Sequence, residues 1–324
     1  RGNHESSSKA AKEIPELFPQ TLGQGSNLNG AYNFQSPDIA GLNGLSYAFD
    51  CNNVRCVLLD QFVRSDGSNY NNESSYNNNI LDQVDWAEAM LASNDYDRHS
   101  FVFAHKNLIG GKHKDSLFGD KITSNPTQRD RFITSMYENG ARYFMSGHDH
   151  MHCNSIITTA DGSASVNQII CSSNSHKFYT PKAGDDGREI PVDQELYSVG
   201  YYIVTVDGPL VTVDFYSSNT SKKYGSKMTK PPESFTFYHR DTFGYGLNGQ
   251  EFIIGQGEDY TAIADSYDGT AMKILSGVNG NGETDYLERD LSKAIYTGWQ
   301  DSSASKRPPR CVTWPASASG SPAG

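Results

Sequence analysis

Between residues 45 and 217, runs of strand period alternate with runs of helix period, and two of the strand-like runs lead straight into histidines. Such alternation commits a chain to a layered α/β domain, since each sheet face must be covered by an apolar helix stripe or another sheet. Ser46 to Asp50 and Arg55 to Asp60 flank Asn52-Asn53, a dipeptide that tolerates positive φ, and predict a hairpin. Leu81, Val84 and Leu91 recur at helical spacing and predict a helix over 80–92, entered from an Asn-rich stretch able to cap it. Ser100 to Ala104 is a short apolar strand ending at His105. Asn125 as cap, Pro126 at the first helical position, an apolar face of Phe132, Ile133, Met136 and Tyr137, and Gly140 at the exit predict a second helix. The strand Arg142 to Ser146 then delivers Gly147-His148-Asp149-His150 at its C-terminal end, where α/β sheets place their ligand-binding loops.

Two further strand pairs follow. Cys153 and Cys171 flank the turn Asp161-Gly162, so a hairpin register would set them opposite one another. They are either a cross-strand disulfide, implying an oxidising compartment, or two buried thiols. Tyr201 to Val206 and Leu210 to Tyr216 flank Asp207-Gly208-Pro209 and predict an antiparallel pair. The domain so defined covers residues 1–217. A linker rich in Ser, Lys, Gly and Pro spans 218–233, a small β-rich module 234–300, and a Ser/Ala/Pro/Gly tail, expected to be disordered or truncated, 301–324.

Charge narrows the functional classes. The net charge is −11 and no Lys/Arg run exceeds a pair, so a basic face that reads a nucleic-acid backbone is not expected. Any anionic substrate would need metal to attract it. No stretch approaches the ~20 apolar residues that cross a bilayer. No Gly-x-Ser-x-Gly elbow marks a serine hydrolase. Sequons at Asn72 and Asn219 are what an Asn-rich chain produces by chance.

Three clusters carry chemistry: Gly2-Asn3-His4-Glu5, Ala104-His105 and Gly147-His148-Asp149-His150. Each alone is weak, and the last alone reads more simply as a polar loop with exposed histidines. Together, in this order at strand ends, they suit a metal site, because neutral imidazole is the commonest ligand for Zn, Fe and Mn-type ions. His148 and His150 either diverge to opposite faces of an extended segment or, in a turn, each reach a different ion.

This order of motifs resembles the calcineurin-like metallophosphoesterases, which include the purple acid phosphatases. The likeness covers residues 1 to about 217 and includes Tyr47-Ala-Phe-Asp, Val57-Leu-Leu-Asp60 and Gly200-Tyr-Tyr-Ile-Val-Thr-Val-Asp207. It implies a sandwich of two β-sheets flanked by helices, incomplete at its N-terminus. It implies two divalent or trivalent ions, Fe, Zn or Mn, with Asn3, His105 and His148 on the second and His150 on the first. His4 would stabilise the phosphoryl group or protonate the leaving oxygen, the alternative being a residue that only supports its neighbours. His113 would be a further substrate contact or simply an exposed loop histidine. The activity implied is hydrolysis of phosphate mono- or diesters by a metal-bound hydroxide.

The family pattern begins with Asp-x-His and Gly-Asp motifs that supply most ligands of the first ion, and neither precedes Gly2. The expectation is therefore an N-terminal truncation, with the missing ligands on an upstream segment or a companion chain and little activity from this chain alone. The competing reading is a non-catalytic extracellular binding or structural protein that retains the fold. A secreted, periplasmic or extracellular location goes with either.

Overall fold

The computed structural model describes residues 1–23, 30–52, 54–64, 78–94, 99–121, 123–173, 177–181, 188–207, 210–218, 232, 234–245, 251–256, 271–278 and 284–290. Residues 65–77 of the Asn-rich stretch, both sequons, nearly all of the linker and the tail lie outside the described residues. The fold is mixed α/β, as the sequence leads one to expect. Its strands fall into an eight-stranded, a four-stranded and a two-stranded sheet, divided between two compact units.

The first unit comprises residues 1–94, 98–201 and 217–236. A short 3-10 helix, Asn3–Glu5, precedes α1 (Ser8–Leu17), whose cap Ser7 accepts a hydrogen bond from Ala10 N at 3.2 Å. The sheet is built from β1 (Ala31–Gln35), β2 (Tyr47–Cys51), β3 (Val54–Leu59), β4 (His99–Ala104), β5 (Ala141–Ser146), β6 (His152–Thr158), β7 (Ser165–Ile170) and β8 (Glu189–Glu195), in the order β1-β2-β3-β4-β5-β7-β6-β8. β3, β4, β5 and β7 run parallel, while β1, β2, β6 and β8 pair antiparallel. The parallel strands carry the core in Val57 and Leu59 of β3, Val102 of β4, Phe144 of β5 and Val166 of β7, all buried, alongside polar positions such as Arg55, His99 and Gln168.

Helices α2 (Val84–Ala92) and α3 (Pro126–Glu138) cover this sheet. Val84, Ala87 and Leu91 of α2 and Phe132, Ile133 and Met136 of α3 share one buried cluster with Val57, Val102 and Phe144 of the strands. Burying each large apolar side chain contributes roughly 1.5–3 kcal/mol. Gly140 leaves α3 at φ +74°, a conformation favourable to glycine.

Two details depart from the sequence reading. Asn125 does not cap α3 with its side chain. It sits at φ +47°, and its Nδ2 donates instead to Phe118 O at 2.7 Å. The second concerns the β6–β7 hairpin, which turns about Asp161-Gly162 as expected but pairs Cys153 with Ile170 rather than Cys171. A shift of one residue reverses the face, and both cysteines are free thiols. Cys153 Sγ accepts from Gln194 Nε2 at 3.2 Å instead. The sequence argument for an oxidising compartment falls with the disulfide.

The second unit holds a four-stranded sheet ordered β12-β11-β10-β9, from β9 (Gly200–Asp207), β10 (Leu210–Ser217), β11 (Thr236–Tyr245) and β12 (Glu251–Gln256), and a ribbon of β13 (Ala271–Val278) and β14 (Thr284–Asp290). β9 and β10 thus lie in one sheet with β11 and β12. Within it the Asp214 carboxylate receives both Nε and Nη2 of Arg240, and Phe215 stacks on Tyr202 with ring centroids 4.9 Å apart. Among the described residues no helix is long and apolar enough to cross a membrane.

Candidate metal centre

Three neighbouring parallel strands, β3, β4 and β5, end side by side and open into Asp60, His105 and Gly147-His148. Gly147 N donates to His105 O at 3.0 Å, which ties the second and third of these ends together. The 3-10 turn bearing Asn3 lies over them. Gly2 makes this approach possible: a Cβ there would stand 3.1 Å from His105 Cε1 and 3.0 Å from Glu5 Oε2. Ser6 Oγ donates to Asn3 O at 2.8 Å, and the Arg1 guanidinium forks onto the Asp60 carboxylate, both side chains being buried.

Here Asn3, His105 and His148 come together. His105 Nε2 is 2.8 Å from Asn3 Oδ1 and 3.1 Å from His148 Nδ1. Donors bound at about 2.1 Å to one ion and set at roughly right or tetrahedral angles lie about 3 Å apart, so the spacing and the N, N, O donor set fit a single cation. The electrostatics fit as well. Burial above all, then the neighbouring His148, pushes His105 down to about 2. Burial and then His113 push His148 down to about 4, against the pull of Asp149 and Asp115. Both imidazoles are neutral, so no proton has to leave before an ion binds.

His148 and His150 both adopt positive φ, +66° and +50°, so the segment is a turn and not an extended strand end. Positive φ at two non-glycine residues costs on the order of 1 kcal/mol or more each, a strain that concentrates at functional sites. Asp149 between them is fully buried. Its Oδ2 accepts from Asn107 Nδ2 at 2.6 Å and Lys112 N at 2.8 Å, and its Oδ1 from His113 N at 3.2 Å and from the His113 ring at Nδ1. His113, His148 and Asp149 also form a group whose ligand atoms lie within 4.8 Å of one another. A carboxylate offers about four acceptor positions, and all four of Asp149 are filled. Asp149 therefore organises the 107–113 loop and has none left for an ion. Gly111, at φ +94°, permits the fit: a Cβ there would come within 1.9 Å of Asp149 Oδ2.

With its Nδ1 on Asp149, His113 has only Nε2 left to offer, and its ring lies 4.2 Å from that of His148. The far side of His148 faces Asp115, whose Oδ1 is 3.9 Å from Nε2. Burial raises the Asp115 carboxyl, but the ion pair with buried Lys106 and the proximity of His148 outweigh it and hold the group below its ordinary value. His150 stands somewhat apart. Its Nδ1 is 3.2 Å from Lys177 O, its ring stacks on Tyr179 at 5.0 Å, and burial lowers its pKa. Tyr179 in turn meets the His113 ring edge-on at 5.3 Å. His4 is exposed on the 3-10 turn next to Asn3. Asp60, Asp115, Asp149 and Tyr179 were not singled out in the sequence, because their neighbours are distant along the chain. Only the aspartate inside Gly-His-Asp-His offered a hint.

No family model and no curated protein matches the chain. Among solved structures it is similar to a purple acid phosphatase from yellow lupin (Lupinus luteus) seeds, at 14% identity over 55% of this chain and 31% of that one, with a TM-score of 0.38. It is similar to PhoD at 15% identity over 62% of this chain and 42% of that one, TM-score 0.40. It is also similar to GAP50, the anchor in the inner membrane complex of Plasmodium, at 12% identity over 62% and 54%, TM-score 0.36. The chain spans less than two thirds of each of these proteins. Superpositions this loose assign no activity to it.

Proposed function

We propose that the chain carries part of the active site of a metal-dependent phosphoester hydrolase. One observation supports this most strongly: His105 Nε2 lies 2.8 Å from the carboxamide oxygen of Asn3 and 3.1 Å from His148 Nδ1, which gathers donors from three separate segments around one nitrogen. In this reading Asn3, His105 and His148 hold one ion, Fe, Zn or Mn in type, and His150 contributes to a second whose other ligands lie elsewhere. When bound, such ions supply Lewis acidity at a phosphoryl oxygen and the positive charge that draws a phosphate anion to a chain of net charge −11.

The chain's own groups do the rest. Asp149 turns His113 so that Nε2 is the nitrogen left for a substrate oxygen. His4, exposed beside Asn3, is placed to hydrogen-bond a phosphoryl or leaving oxygen. Tyr179 packs between His150 and His113 and keeps the two rings in place.

Turnover of bis-para-nitrophenyl phosphate and of para-nitrophenyl phosphate tests the proposal. Metal-dependent hydrolysis that is lost in His150→Ala and Asn3→Ala supports it. Tight metal binding with no turnover of either ester would instead favour a binding protein that keeps the fold.

A further inference from the structure

Asn3 is the one oxygen donor of the three; Ser6 Oγ holds its backbone carbonyl within the turn, and the link from the turn to the strand ends runs through Arg1. We infer that Asp60 is the positioning residue for Asn3, acting through Arg1, and thereby sets the affinity of the centre for a divalent cation. The inference rests on the metal-site reading above.

Leu59 pairs with Ala104 across β3 and β4, so Asp60 and His105 are the next residues along two adjacent parallel strands. Asp60 is therefore in register with the histidine that Asn3 must meet. Its backbone is pinned on both sides: Asp60 N donates to Ser46 Oγ at 2.8 Å, Gln83 Nε2 donates to Asp60 O, and Ser46 Oγ donates to Gln83 Oε1 at 2.6 Å. Its carboxylate accepts from Phe62 N at 2.7 Å and from the Arg1 fork, Nη2 at 3.0 Å and Nε closer still.

Arg1 then reaches over the turn. Its Nη1 is 3.4 Å from Glu5 O at the far end of the 3-10 helix, so one rigid guanidinium touches the sheet edge and the end of the turn, with Asn3 between. The Arg1 side chain is 2% exposed and the Asp60 side chain 0%. An arginine so buried, with its fork on a carboxylate, is held as a bracket and is not available to a phosphate in solution.

The test is calorimetric titration of the full chain with Zn2+ or Mn2+ alone, for the wild type, His105→Ala, Asn3→Ala, Asp60→Asn, Arg1→Lys and the double variant Asp60→Asn/Asn3→Ala, each checked for folding by circular dichroism. Outer residues that orient a ligand typically change metal affinity 10–100-fold. Asp60→Asn is expected to weaken binding by that factor, and the double variant to bind no more weakly than Asn3→Ala. A purely structural role would lower the melting temperature and multiply with the loss from Asn3→Ala. Should Asp60→Asn fail to fold, Arg1→Lys, which keeps the charge but loses the fork, carries the same comparison with a smaller loss. Wild-type affinity in Asp60→Asn, or in Arg1→Lys where that variant stands in, or multiplying losses, would overturn the inference while His105→Ala still weakens binding at least about tenfold. A wild type that binds no metal overturns both this inference and the metal-site reading.

Discussion

His105 Nε2 lies 3.1 Å from His148 Nδ1, at the ends of two adjacent parallel strands, and the carboxamide oxygen of Asn3 is 2.8 Å from the same His105 nitrogen. Two neutral imidazoles and a carboxamide oxygen gathered this closely suit a cation. His105→Ala and His148→Ala should each weaken Zn2+ binding at least about tenfold, about 1.4 kcal/mol. His239→Ala, in the other unit, should leave it unchanged. Titration calorimetry checks all three.

Burial of His105 makes the metal-free protein acid-sensitive. The folded pKa of His105 is pushed down to about 2, whereas an unfolded histidine titrates near 6.5. Below about pH 6.5 the unfolded chain takes up a proton that the folded chain refuses. The contribution of neutral His105 is thus complete above that pH and is lost as pH falls toward about 2. Its loss amounts to about 2 kcal/mol at pH 5. Urea unfolding at pH 7.5 and pH 5 should show this drop, and His105→Gln should show a smaller one.

Gly111 is a backbone requirement of the Asp149 knot. Its φ of +94° and the 1.9 Å approach of a would-be Cβ to Asp149 Oδ2 leave no room for alanine. Gly111→Ala should destabilise the fold by at least about 1 kcal/mol. Gly162→Ala meets no atom within 4 Å and shares only the positive φ, +69°, so it should cost less. Denaturant midpoints of the two variants decide.

The register of the β6–β7 hairpin predicts that Cys153 and Cys171 are not joined. Alkylation in denaturant without reductant, followed by mass mapping, should find both modified. In the folded protein burial pushes the Cys171 thiol up to about 12, so its alkylation at neutral pH should be slow.

The parts of this molecule that were legible in the sequence are those specified locally. Asn52 adopts φ +51° in the turn between β2 and β3, and the apolar faces of α2 and α3 recur at helical spacing whatever surrounds them. Strand ends announce His105 and His148, and the motif order supplied Asn3. What was missed depends on partners far along the chain or on a count of one residue. Asp149 gains its role only when loop 107–113 folds back on it. Cys153 and Cys171 are a single residue away from facing each other. Asn125 looked like a cap and was drawn away by Phe118 O. α1 escaped because the run Ser6-Ser7-Ser8 offers no unique cap and Pro15 lies inside the helix.

Anomalous scattering from crystals soaked in Zn2+ or Mn2+ tests the central claim most directly. The account predicts a peak about 2.0–2.2 Å from Asn3 Oδ1, His105 Nε2 and His148 Nδ1 together. A peak elsewhere, or none in crystals that diffract well enough to show these side chains, would contradict it.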